Sequence, residues 1–232
     1  MLVSQRGLKT KISALLKNDE IDRILKEING HAPQKLLNAL FAGICNSDPK
    51  IRWNAIIAMG VTVARLADQD MEAARIVIRR FMWSLNDESG GIGWGAPEAM
   101  AQCLINHPAL AEEYTNILVS FMREDGFYLE LPVMHRGLLW GIGEMAKVRP
   151  ELLHKWRAAK YLMPYLNSED VVVQALAGRA LALLGHQEAA AGIKKLADDR
   201  TTFDLYENGQ LRVTSVAMVA AAALAALAGA DN

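Results

Sequence analysis

The strongest constraint on this 232-residue chain is an internal repeat of about 40 residues. In residues 48–60, DPKIRWNAIIAMG, the side chains of Ile51, Ala55 and Met59 stand four apart and would share one helix face. The later sets are Ile92, Ala96 and Met100; Val133, Gly137 and Gly141; Val173, Ala177 and Leu181; and Leu211, Ser215 and Val219. Alanine-rich helices align easily, so the near-constant spacing carries the argument rather than any single match.

Other helical runs lie between these stripes, at residues 34–45, 70–85, 109–123, 151–166 and 187–198. Each repeat is therefore predicted to be a pair, helix A followed by a helix B that carries the stripe. Pro164 falls inside a helix A and is expected to bend it. Residues 8–28 supply one or two further helices, 213–230 read as a buried terminal helix, and no strand-like alternation is recognised.

The opening of the second helix carries a family resemblance. Asp48, Pro49, Ile51, Arg52, Ala55, Met59 and Gly60 follow the pattern D-P-x-[VI]-R-x-x-A-x-x-x-[LM]-G. This resembles HEAT repeats, particularly the bacterial HEAT-like repeats also found in phycobilisome lyases, over roughly residues 33–228. The resemblance implies an all-α fold, a right-handed α-solenoid of about five HEAT-like helix pairs. Residues 1–32 would be N-terminal capping helices and 33–232 one continuous repeat domain, with the B helices lining the concave binding layer.

Composition and charge exclude several functions. The net charge is −1, so no overall attraction draws the chain to nucleic acid, although basic residues are dense between Lys50 and Arg80. Cys45 and Cys103 lack metal-ligand spacing and are expected to be buried reduced thiols in a cytoplasmic protein. No signal peptide is recognised, and the alanine-rich 213–230 is not expected to insert into a membrane.

A glycine-rich stretch, DESGGIGWGAPEAM at 87–100, contains the spacing G-x-G-x-x-A of a dinucleotide site. That site needs a strand before the glycines, and a helix is predicted there instead, so a nucleotide is not expected. Gly93 and Gly95 are expected to allow close helix packing. Gly90 and Gly91 form a candidate anion-binding turn, because exposed backbone N–H groups at a helix start attract anions.

Equivalent positions of a solenoid stack side by side, and this defines the candidate binding site. Trp53, Trp94 and His135 stand 41 residues apart. The complete candidate set is Trp53, Trp94, Glu98, His135, Arg136, Trp140 and Glu144. Aromatic rings with a few converging charges are typical of ligand sites and protein hot spots. The alternative is that the tryptophans fill the core and the charges form structural ion pairs.

The sequence favours a non-enzymatic binding scaffold, because no catalytic, metal-binding or cofactor motif is recognised. Its partner would be a protein or peptide, with a small ligand as a further option. Two alternatives stay open. One is chromophore or cofactor handling related to the bilin lyases, and the other is nucleic-acid binding by the local basic face.

Overall fold

The computed structural model describes residues 5–18, 20–86 and 93–229 and is mainly helical over them. The α-helices are α1 Gln5–Asn18, α2 Ile21–Ile28, α3 Pro33–Ile44, α4 Pro49–Gln69, α5 Met71–Leu85, α6 Ala96–Asn106, α7 Pro108–Ser120, α8 His135–Val148, α9 Pro150–Lys155, α10 Ala158–Leu162, α11 Val171–Leu183, α12 Ala190–Lys194 and α13 Val216–Gly229. Short 3-10 helices occupy Pro132–Met134, Met163–Asn167 and Gln187–Ala189, and the strands are β1 Thr202–Glu207 and β2 Gln210–Ser215.

The chain divides into two compact units, Met1–Ala111 and Glu112–Asn232. In the first unit, α4 packs against α3 on one side and α6 on the other, while α1 and α2 pack on α3 and α4. The core between these helices includes Leu36, Leu40 and Met59, all without solvent exposure. The predicted single domain over 33–232 stays a prediction.

In the second unit, α11 is central. It packs against α8 on one side, α13 on the other, and the 3-10 helix Met163–Asn167. The helices α4, α6, α8, α11 and α13 are the predicted B helices. The first four each follow a helical A segment, whereas a β-hairpin separates α12 from α13. The predicted pairing is therefore confirmed for the first four pairs, as are two helices before residue 33.

Local sequence chemistry sets the helix starts. Asp48 precedes α4 and its carboxylate accepts from the backbone N–H of Lys50 at 2.9 Å, while Pro49 takes the first helical position. Asp170 caps α11 in the same way, accepting from the N–H of Val172 at 2.9 Å. Both caps satisfy N–H groups that a helix start leaves without intrahelical partners.

Most stripe residues that lie on helices are buried, whereas Ile51 on α4 and Gly137 on α8 are half-buried. Ala55 and Met59 on α4, and Ala96 and Met100 on α6, are buried, as are the three stripe residues of α11. Three members differ. Val133 is 46% exposed in a 3-10 helix, and Leu211 and Ser215 lie in a strand. The first member of the second stripe, Ile92, lies outside the described residues.

The β-hairpin between α12 and α13 overturns the prediction that no strand is present. Strands β1 and β2 pair antiparallel, with Glu207 opposite Gln210. The two residues between them, Asn208 and Gly209, have φ values of 52° and 79°. Positive φ at both positions matches a type I′ turn, whose backbone twist fits two paired strands and which favours Asn-Gly. The terminal helix accordingly begins at Val216 rather than 213.

Two further predictions need correction. The predicted helix A at 151–166 is interrupted at Arg157, which has a φ of 54°, and only its last part, which contains Pro164, is a 3-10 helix. Both cysteines are free, but Cys45 is exposed whereas Cys103 is buried. Across the described residues, no helix combines the length and apolar character needed to cross a membrane.

Candidate functional site

The predicted site residues fall into two groups, one in each unit. Trp53, Trp94 and Glu98 belong to Met1–Ala111, and His135, Arg136, Trp140 and Glu144 belong to Glu112–Asn232. The candidate anion-binding turn, Gly90 and Gly91, lies outside the described residues. Each group is therefore described by itself.

In the first unit, Trp53 and Trp94 have different environments. Trp53 is 9% exposed on α4 and contributes to the core. Trp94 is 41% exposed and lies in the turn before α6, rather than on the helix, and its carbonyl accepts from the Cys45 thiol at 3.8 Å. Gly95 makes this turn feasible: its φ is +73°, and a Cβ there would approach the Ile44 carbonyl oxygen to 2.5 Å.

Glu98 is a half-buried carboxylic acid in the first turn of α6. Burial raises its pKa, and its own backbone N–H and the positive charge of Arg52 oppose that rise. No described residue forms a salt bridge with Glu98. The carboxyl therefore holds its proton to a higher pH than an exposed glutamic acid.

Trp140 belongs to the core of the second unit. Its side chain is 3% exposed, and its Nε1 donates to the Tyr206 carbonyl oxygen at 2.8 Å. The two rings meet edge to face with centroids 6.3 Å apart. Trp140 thus fixes β1 of the hairpin onto α8, a structural role that leaves little surface for a ligand.

The predicted charges of α8 form ion pairs. Arg136 makes a double contact with Asp170, at 2.6 and 3.1 Å, and its side chain is 52% exposed. Glu144 accepts from Arg179 at 2.6 Å and from Lys147 at 3.0 Å. Both side chains thus form ion pairs within the protein, which is the alternative to a binding role that the sequence leaves open.

A buried ion cluster joins α8, α11 and the hairpin. The guanidinium of Arg179, 8% exposed, contacts Glu144 and, at 2.8 Å, Glu207 of β1. Lys147 contacts Glu207 as well, at 3.1 Å. Arg179 and Lys147 hold the pKa of Glu207 below its usual value, against the effect of burial. A Cβ at Gly143 would come within 2.7 Å of Arg179 Nη1, so that glycine leaves room for the guanidinium.

His135 is the predicted residue that lies in a cleft. It is 7% exposed, its Nε2 contacts the Leu129 carbonyl oxygen at 2.8 Å, and it lines a cavity of about 570 Å³ in the second unit. This cavity, here named the tyrosine cleft, is lined by Met122, Arg123, Glu124, Asp125, Tyr128, His135, Lys160, Tyr161, Pro164, Tyr165, Asn167 and Ser168.

Aromatic rings form the wall of the tyrosine cleft. The His135 ring meets the Tyr165 ring edge to face at 5.2 Å and the Tyr128 ring at 5.7 Å. Tyr165 is 8% exposed, and its hydroxyl is buried close to Tyr128. Burial raises the pKa of Tyr165, and the nearby Tyr128 hydroxyl and Glu124 carboxylate raise it further. The phenol therefore stays neutral and keeps its proton to donate.

Charged groups stand on the rim of the same cleft. Arg123 forms a double contact with Asp125, at 2.9 and 3.1 Å, and lies 5.0 Å from the Tyr161 ring centre. The Lys160 ammonium lies 5.4 Å from that ring centre. No described carboxylate lies within salt-bridge distance of Lys160. The rim thus offers a cation that a ligand can use.

A smaller cavity of about 320 Å³ lies beneath the hairpin, with apolar walls from α11, α13 and Leu205. Arg179, Lys147 and Glu207 close one end of it. Sequence reasoning missed both cavities. Tyr128 lies in the loop before α8, whereas Tyr161 and Tyr165 lie in α10 and in the 3-10 helix that follows it directly.

The basic residues between Lys50 and Arg80 are engaged in structural contacts. Arg65 donates to the carbonyl oxygens of Ile28, Asn29 and His31, where α2 ends. Arg75 and Arg79 form salt bridges with Glu72, and Lys50 forms one with Glu20. Arg52 donates to the Asn46 carbonyl oxygen, and the Arg80 guanidinium stacks on the Phe41 ring. Within the described residues, no group of three or more His, Cys, Asp or Glu side chains is arranged to hold a metal ion.

Comparisons with known proteins address the fold. No family model matches the sequence. An uncharacterized protein of Archaeoglobus fulgidus is 31% identical over 116 residues, which is 50% of this chain and 55% of that protein. The chain therefore spans about half the length of the curated relative that it matches.

Several solved structures resemble the whole chain. A designed armadillo repeat protein superimposes with a TM-score of 0.55 at 18% identity, covering 96% of this chain and 92% of that one. Computationally designed armadillo repeat proteins for modular peptide recognition give 0.51 at 17%, covering 96% and 94%. A designed armadillo repeat protein in complex with the peptide (KR)4 gives 0.50 at 17%, covering 94% and 98%. The chain thus has the helical repeat fold of armadillo and HEAT-like proteins, which confirms the predicted α-solenoid class.

Proposed function

We propose that this protein is a non-enzymatic scaffold that binds a peptide segment of a partner protein in the tyrosine cleft. The observation that carries the proposal is the cleft itself, a cavity of about 570 Å³ whose wall includes Tyr128, Tyr161 and Tyr165. Aromatic walls with a few polar groups are typical of binding sites.

The wall chemistry fits a peptide. Tyr128 and Tyr161 offer ring faces for an apolar or aromatic side chain, and tyrosine suits recognition because it joins a rigid ring to a hydroxyl. The raised pKa keeps the Tyr165 hydroxyl neutral, so that it is suited to donate to a backbone carbonyl of the peptide. The Lys160 ammonium on the rim suits a carboxylate of the peptide.

The site residues predicted from the sequence have different roles in this proposal. His135 holds the cleft wall, and Arg136 extends the exposed surface of the same unit. Trp94 and Glu98 remain candidate ligand-binding residues of the first unit, because Trp94 is 41% exposed. Trp53 and Trp140 are assigned to the core. The solved armadillo neighbours support peptide as the ligand class, since one of them is a complex with a peptide.

Selection from a random peptide library tests the proposal. Peptides enriched on the immobilised protein would be labelled with fluorescein and titrated against the wild type, Tyr161→Ala and Trp83→Ala. The matched control Trp83 is 75% exposed, lies on α5 of the first unit, and is not among the residues that line the cleft. We expect Tyr161→Ala to weaken binding about tenfold or more, as loss of a hot-spot aromatic does. Equal affinities for the two variants would contradict the proposal.

The alternative of chromophore handling, by analogy with the bacterial phycobilisome lyases, has one supporting observation, the size of the tyrosine cleft. It predicts a change in the visible absorbance of bilin on adding the protein, abolished by Tyr161→Ala. An unchanged spectrum would remove it. Nucleic-acid binding is disfavoured, because the basic residues of the first unit already serve structural contacts.

A further inference from the structure

The β-hairpin has two outer edges, and one of them is occupied. In an antiparallel pair, successive residues alternate between backbone groups that face the partner strand and groups that face away. A two-residue turn places Glu207 and Gln210 in a hydrogen-bonded pair, so the backbone of Tyr206 faces away from β2. Its carbonyl accepts from Trp140 at 2.8 Å, as this alternation requires. The outer edge of β1 is thus held by α8.

The same alternation assigns the outward backbone groups of β2 to Leu211, Val213 and Ser215. No described residue outside β1 makes a backbone–backbone hydrogen bond to β2. Val213 as a whole residue is 73% exposed, so the middle of β2 is open to solvent. An exposed edge with unpaired N–H and C=O groups is a template for another strand.

The side chains of β2 define which strand would fit. Arg212 is exposed, and its Nε and Nη2 both donate to Gln210 Oε1. No described carboxylate lies within salt-bridge distance of Arg212. Arg212 and Val213 point to opposite faces, because side chains alternate along a strand. A complementary strand therefore places an acidic residue beside Arg212 and apolar residues on either side of it.

We propose that the outer edge of β2 binds an extended segment of a partner protein that carries an acidic residue flanked by apolar ones. The backbone of the segment pairs with Leu211 and Val213, and its carboxylate pairs with Arg212. A second copy of β2 fits less well, because Gln210–Ser215 contains no acidic residue to place beside Arg212. This edge is separate from the tyrosine cleft, and the two proposals stand independently.

Two peptides and two variants test the proposal. The probe is the fluorescein-labelled peptide Val-Thr-Val-Glu-Val-Thr-Val, with a matched peptide that has lysine in place of glutamate. Val213→Pro removes one outward N–H and leaves the bonds between β1 and β2 in place, as proline does on edge strands. Val213→Thr keeps the N–H and a β-branched side chain and serves as the matched control.

We expect the glutamate peptide to bind about fivefold tighter than the lysine peptide, from the charge opposite Arg212. Binding slows hydrogen exchange of the Leu211 and Val213 amides but not of the Arg212 amide, which already faces β1. Val213→Pro abolishes binding while the remaining hairpin amides keep their protection, and Val213→Thr retains it.

Binding that survives Val213→Pro, or exchange that does not slow at Leu211, would overturn the proposal. Sedimentation of the free protein adds a third decisive readout. A dimer that forms with rising concentration and disappears in Val213→Pro would assign the edge to a second copy instead.

Discussion

Replacing Arg179 with alanine should destabilise the protein far more than replacing Arg136, although both arginines form ion pairs from helices of the same unit. Arg179 is 8% exposed and contacts two carboxylates, Glu144 at 2.6 Å and Glu207 at 2.8 Å. The Arg136 side chain is 52% exposed and contacts Asp170 alone. The comparison therefore separates burial from the mere presence of a salt bridge.

The magnitudes follow from solvent access. Removing one member of a buried pair costs about 3–5 kcal/mol, because the remaining charge loses its partner without gaining water. Here Lys147 stays 3.0 Å from Glu144 and 3.1 Å from Glu207, and the Glu207 side chain is 39% exposed, so we expect the lower end of that range, about 3 kcal/mol, for Arg179→Ala. An exposed pair contributes about 1 kcal/mol at most, which bounds Arg136→Ala. For a chain of this length, 3 kcal/mol corresponds to roughly 6–12 °C in Tm.

Urea unfolding followed by circular dichroism, with thermal melts beside it, measures both variants. The loss in the free energy of unfolding should be at least about three times as large for Arg179→Ala as for Arg136→Ala. The variant Arg179→Met keeps an aliphatic side chain, so it separates the effect of the lost charge from the effect of lost packing. Equal losses in Arg179→Ala and Arg136→Ala would refute the argument that burial makes the difference.

Three further predictions concern stability. Trp140→Phe should cost about 1–2 kcal/mol in urea unfolding, because the Tyr206 carbonyl loses its donor while the ring is kept; no loss would mean that water replaces the indole N–H. Burial raises the pKa of Glu98, so its contribution to stability is present at low pH and is lost as pH rises through the folded pKa. Glu98→Gln should therefore be more stable than wild type in urea unfolding at pH 8 and equal to it near pH 4, and a pH-independent difference would contradict this. Gly95→Ala should lower the free energy of unfolding by about 3 kcal/mol, and Gly185→Ala by about 1 kcal/mol. Both glycines have positive φ, but only at Gly95 would the added Cβ lie 2.5 Å from a backbone atom. Equal losses in calorimetric melts would count against the close packing at Gly95.

The helical framework could be predicted because its signals are local and repeat. Asp48 and Pro49 mark a helix start, because aspartate can cap the helix and proline suits its first turn. The spacing of the apolar residues in α11 is enough to predict which of its side chains are buried. The sequence also contains a signal for the hairpin, because Asn208-Gly209 between TFDLYE and QLRVTS is a strong turn signal. The 40-residue repeat instead assigned Leu211 and Ser215 to a helix stripe, so the strands were not predicted.

The candidate site was harder to predict because it depends on tertiary packing. The repeat aligned Trp53, Trp94 and His135, yet it cannot tell a side chain that faces the core from one that faces solvent. Trp140 is buried because its indole meets a carbonyl 66 positions away. The tyrosine cleft joins Tyr128 to Tyr161 and Tyr165, which lie beyond α8 and α9, and no local sequence pattern marks that contact.

The central claim is that the tyrosine cleft receives a peptide. A crystal structure of the protein with a library-selected peptide tests it most directly. We predict peptide density between Tyr128, Tyr161 and Tyr165, with a peptide carbonyl oxygen within hydrogen-bond distance of the Tyr165 hydroxyl. A peptide seated elsewhere on the chain, with no contact to the Tyr165 hydroxyl, would contradict the account.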